Sequence, residues 1–153
     1  MSINIKYLNN VGSNTTANLV LFSNEKYSLN NLKKYFSNSE FSYVSDLLKT
    51  SDLKKNLLVF ELNSKKKIIL ISIKNNVKTS DIENLGAEFF GQVNHGKNSE
   101  YFIISDSIVG KINNFLGHFL HGLKLKSYEF KKYKTKKEIR NISLKVLGNK
   151  NKP

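Results

Sequence analysis

Between Ile112 and Leu123 the chain carries Ile112, Phe115, Leu116, Phe119, Leu120 and Leu123, the i, i+3, i+4, i+7 spacing that gathers apolar side chains on one side of a 3.6-residue helix. A helix with such a face must be buried against something. The same segment runs on into Lys131, Lys132, Lys134, Lys136 and Lys137, five like charges within seven residues, which is too dense to bury and must be solvated or meet an acidic partner. The stretch Phe115 to Lys137 therefore predicts both a helix that closes a core and an exposed basic tail.

A chain of 153 residues with 39% hydrophobic content suits one globular domain. We place that domain at residues 1–147 and read 148–153, Gly148-Asn-Lys-Asn-Lys-Pro, as a polar tail or the start of an interdomain linker. The absence of cysteine excludes disulfides and thiolate metal sites. No segment approaches the roughly 20 apolar residues of a membrane span, and the N-terminus lacks the apolar run of a signal peptide. A cytoplasmic location with no membrane partner is the default expectation.

The net charge is +13, and from Lys111 onward twelve basic and two acidic residues give +10, which leaves +3 for the first 110. A basic patch can neutralise phosphates and release their counterions, so Lys131, Lys132, Lys134, Lys136 and Lys137, interleaved with Tyr128, Phe130 and Tyr133, are candidate nucleic-acid contacts. The simpler reading has the aromatics continue the apolar stripe into the core while the lysines form a solvated rim, and it is preferred.

Ser2 to Leu8 alternates as a half-buried edge strand, and after a turn over Val11 to Thr16 the compact run Ala17 to Phe22 predicts a second, more buried one. Ser28 can cap a helix bearing Leu29, Leu32, Tyr35 and Phe36, followed by a weaker amphipathic segment with Phe41, Val44, Leu47 and Leu48. Leu57 to Leu62 and Ile68 to Ile73 suit an antiparallel hairpin with the intervening lysines in a solvated loop, and the near-continuous apolarity of the second run predicts a strand covered on both faces. Ser80 and Glu83 have capping-box spacing ahead of a helix with Ile82, Leu85, Phe89 and Val93 inward. His95 to Asn98 reads as its exit loop, Tyr101 to Ile104 as a short strand, Ser105 or Asp106 as the cap of the final helix, and Ile139 to Leu147 as a last strand. Strands and helices in this alternation predict a three-layer α/β/α sandwich with a mixed sheet.

Catalytic constellations are scarce. His118 and His121 stand i, i+3, but no third ligand lies nearby in sequence to complete a zinc site. Asp46, Asp52, Asp81 and Asp106 read as turn or cap positions, and no phosphate-cradling glycine loop, nucleophile elbow or HExxH motif occurs. The chain is expected to be non-catalytic.

The run Gly122-Leu-Lys-Leu-Lys-Ser-Tyr128-Glu-Phe130-Lys-Lys-Tyr133-Lys134-Thr135-Lys136 resembles the end of the N-terminal domain of leucyl (cytosol) aminopeptidases, in which Gly, Tyr, Phe and the Tyr-Lys-[Ser/Thr]-Lys group recur at this spacing. The order of elements is similar across nearly the whole chain, including a helix containing Gly86-Ala87. The resemblance implies a macro-domain-like fold and a non-catalytic accessory domain serving oligomer contacts and active-site access. Its implied partners are the parent's catalytic domain and, in a homo-oligomer, the neighbouring subunits of a hexamer. Zinc or manganese is implied only for that catalytic domain, whose motifs, resembling GKGxTFDSGG and NTDAEGR, do not occur in these 153 residues. No catalytic residue or metal ligand is therefore carried over. The sequence departs from the family pattern where Ile73-Lys74-Asn75-Asn76 replaces the glycine-containing loop usual after the central strand, which removes flexibility where a macro domain would contact its ligand and counts against the other reading that the resemblance opens, a macro-like binder of nucleotide or ADP-ribose.

Overall fold

The computed structural model describes residues 2–8, 18–29, 32–62, 66–74, 77–93, 98–104, 107–108, 114–133 and 141–147. These form strands β1 (Ser2–Leu8) and β2 (Asn18–Asn24), helix α1 (Asn38–Thr50), the hairpin strands β3 (Leu57–Glu61) and β4 (Lys67–Ile73), helix α2 (Thr79–Val93), strand β5 (Asn98–Ile104), helix α3 (Phe115–Tyr133) and strand β6 (Asn141–Leu147). One six-stranded sheet runs in the order β1-β6-β5-β2-β4-β3. All neighbouring pairs are parallel except β3 and β4, so the sheet is mixed, as expected. β1 lies at an edge, as its alternation predicts, but it pairs with β6, and the two opening strands are not neighbours.

Side-chain alternation along the central strands divides the interior in two. Val20, Phe22, Ile69, Ile71 and Ile73 point to one face and join α2 and α3 in the larger core. Leu19, Leu21, Ile68 and Leu70 point to the other and meet Val44 of α1, with Leu58 and Phe60 of β3. From Ile68 to Ile73 every residue of β4 is buried, the pattern of a strand covered on both faces. Helices on both sides of the sheet complete the three layers.

The long helices close the larger core at a seam of two glycines. A Cβ at Gly86 in α2 would overlap the carbonyl oxygen of Phe119, and one at Gly122 in α3 would overlap the carbonyl oxygen of Glu83. Each glycine lets the opposite backbone approach, which no side chain would allow. Beneath the seam, Phe119 packs edge-on against Phe22, with ring centroids 5.4 Å apart, and lies 5.6 Å from Phe89, distances at which aromatic pairs add to simple area burial.

Several local expectations are corrected. No helix starts at Ser28. Asn24 Oδ1 accepts from the N–H groups of Lys26 and Ser28, both at 3.1 Å, and Tyr27 takes a left-handed conformation with φ of 55°, so the chain turns sharply there and Leu29 and Leu32 enter the core from irregular backbone. A single 3-10 turn, Lys33–Tyr35, follows. The helix belongs instead to the weaker segment, because Ser37 and Glu40 form a complete capping box ahead of Phe41, Val44, Leu47 and Leu48. α2 starts before Ser80. Asp81 accepts from Lys78 N–H at 3.0 Å and Ile82 N–H bonds to the Lys78 carbonyl, which moves the cap back by two residues. Asp46 lies within α1 beside Lys49 rather than in a turn.

The lysine run of the hairpin is not wholly solvated either. Lys66 is buried, and its Nζ donates to Glu40 Oε2 at 2.8 Å, because Glu40, already fixed by the capping box, offers the only kind of partner that makes a buried ammonium tolerable. The turn over Val11 to Thr16, His95 to Gly96, the proposed caps Ser105 and Asp106, and Ile112 lie outside the described residues.

Candidate functional site

Ligands of open α/β sheets bind beyond the carboxyl ends of the strands, and a cleft among the described residues lies there. It has a volume of about 540 Å³, sits past the ends of β2 and β4, and is walled by the first turns of α2. Its chemistry comes from Glu25, Lys74, Asp81 and Glu88, with Asn56, Asn84 and Ser72 between them. Three carboxylates face one ammonium, a balance that opposes a phosphate-bearing ligand.

Much of this polarity is engaged in holding the fold. Asn56 Nδ2 donates to Glu88 Oε1 at 2.9 Å, the Asp81 carboxylate caps α2, and buried Ser72 donates to the Asn24 carbonyl at 3.4 Å. The ring of Tyr27 is buried beside the cleft and its hydroxyl donates to the Lys55 carbonyl at 2.6 Å. Burial, and after it the charge of Glu88, pushes the ionisation of Tyr27 well above the usual phenol range. It is a neutral donor at any physiological pH and not a base. Glu40 lies on the other side of the sheet: burial alone would raise its pKa, but the hydrogen bonds from Lys66 and from Ser37 N–H, with the Lys66 charge, outweigh this and hold it below the usual range.

The residues singled out from the sequence lie elsewhere. Gly122 is at the α2–α3 seam, which gives its place in the motif a physical reason. Tyr128 is 64% exposed, so it does not continue the apolar stripe into the core. The helical period carries the stripe from Leu123 to Ser127, which is buried and donates to the Lys124 carbonyl at 2.7 Å, and Tyr128 turns outward a further 100° or so around the helix. Phe130, Lys131, Lys132 and Tyr133 belong to the α3 backbone, while Lys134, Thr135, Lys136 and Lys137 lie outside the described residues. His121 is exposed, with Nε2 3.7 Å from Glu83 Oε2 across the seam, and His118 is half-buried. Among the described residues no group of three histidines or carboxylates could hold a metal ion, and no helix is long and apolar enough to cross a membrane.

No protein-family model matches the sequence, and no curated protein sequence matches it. Solved structures do match. A tomato leucine aminopeptidase mutant superposes with a TM-score of 0.63 at 13% identity, over 99% of this chain and 34% of the enzyme. The chain thus spans about a third of that protein's length. The macrodomain of Thermus aquaticus DarG superposes with a TM-score of 0.59 at 10% identity, over 97% of this chain and 100% of its own. At these identities the likeness is one of fold, and the fold of this chain is a macrodomain-like α/β/α sandwich.

Proposed function

We propose that this chain is a non-catalytic accessory domain of the leucyl-aminopeptidase type, associated with a catalytic domain that removes N-terminal residues from peptides and binds the zinc or manganese. The observation that carries the reading is the likeness of 99% of the chain to a 34% portion of an aminopeptidase. It is supported by Gly122, a motif position in the sequence that sits at the closest approach of the two long helices. Oligomer contacts and control of access to the active site are the work such a domain would do, in the cytoplasm. The full chain, assayed with a chromogenic leucine substrate and added zinc, manganese or magnesium, is expected to release no product. Metal-dependent turnover by the purified chain overturns the proposal.

A second reading, a nucleotide or ADP-ribose binder, is favoured by the position of the cleft and by the likeness to a macrodomain. Its acidic lining and the lack of glycine in Lys74-Asn75-Asn76-Val77 count against it. A rise in melting temperature with millimolar ADP-ribose would favour this second reading over the first. The nucleic-acid reading depends on lysines whose side chains lie outside the described residues and gains no support.

A further inference from the structure

We draw no further inference here: the strongest candidate, the acid-lined cleft past the ends of β2 and β4 as a site for an organic cation, rests on Glu25, Asp81 and Glu88, of which Asp81 caps α2 and Glu88 accepts from Asn56, and no second feature among the described residues points to a ligand there.

Discussion

The two faces of the sheet are held by different physics. Under α2 and α3 the interior is dominated by apolar side chains, with Phe22, Phe115 and Phe119 in mutual contact and Phe89 against Phe119, and two helices are brought together at Gly86 and Gly122. Under α1 the apolar cluster is smaller and a charge pair is buried at its margin, Lys66 with 4% of its side chain exposed against Glu40 with 23%. The first face depends on shape, and the second on satisfying one ammonium. A shape-dependent face fails when volume is added, and a charge-dependent face when a partner is removed.

Gly122→Ala should show the first dependence most strongly. Its methyl would occupy the place of the Glu83 carbonyl oxygen, a backbone atom that cannot rotate away, so α2 and α3 must separate along much of their packed length. The expected loss is about 3 kcal/mol, roughly 10 °C in melting temperature for a domain of this size. Gly91→Ala in α2, where nothing lies within 4 Å of the new Cβ, should be neutral or stabilising by a few tenths of a kcal/mol on helix propensity. Equal effects at the two positions, measured by thermal unfolding, would remove the claim that the seam is special.

What could be read from the residues follows the same division. β4 is legible because a strand buried on both faces has no polar alternation to obscure it, and α3 because Phe115, Leu116, Phe119, Leu120 and Leu123 keep one helical phase. Near Ser28 the reading fails for a physical reason. Leu29, Leu32, Tyr35 and Phe36 have helical spacing, but Asn24 captures the backbone N–H groups of Lys26 and Ser28 and turns the chain before a helix can start. The true start was available in Ser37 and Glu40, whose capping-box spacing precedes a less apolar segment. Gly86 and Gly122 both stand among the residues that carry the family resemblance, yet neither position alone reveals that each faces the other's helix. The cleft was not legible at all, since Glu25, Asn56, Lys74 and Glu88 come from four separate segments with no common spacing. Nor was the burial of Lys66, which depends on Glu40, 26 residues earlier in the chain.

The smaller core can be broken from either side of its ion pair, and the two breaks should differ. Glu40→Gln leaves the Lys66 ammonium enclosed without a counter-charge, at a cost of about 2 to 3 kcal/mol given the partial exposure of the pair. Lys66→Met leaves a carboxylate that can hydrate through its exposed edge and stay bound to the Ser37 backbone, so its cost should be distinctly less. Chemical denaturation at pH 7 with each variant would measure the asymmetry.

Acid should reproduce part of the Glu40→Gln effect in the unaltered chain, with a sign set by the direction of the shift. Glu40 is held below its ordinary value of 4.5 in the folded state, so the folded form binds this proton less readily than the unfolded one. The contribution to stability is complete above about pH 4.5 and is lost as pH falls through the lower folded value. In that window the parent chain should lose stability faster than Glu40→Gln, which carries no titrating group at this position, and the two curves should converge. Gly122→Ala leaves Glu40 and Lys66 in place, so it should keep the parent's loss of stability in this window. Parallel acid curves for the parent and Glu40→Gln would show that the margin under α1 is held by packing, as the α2–α3 face is, and not by charge.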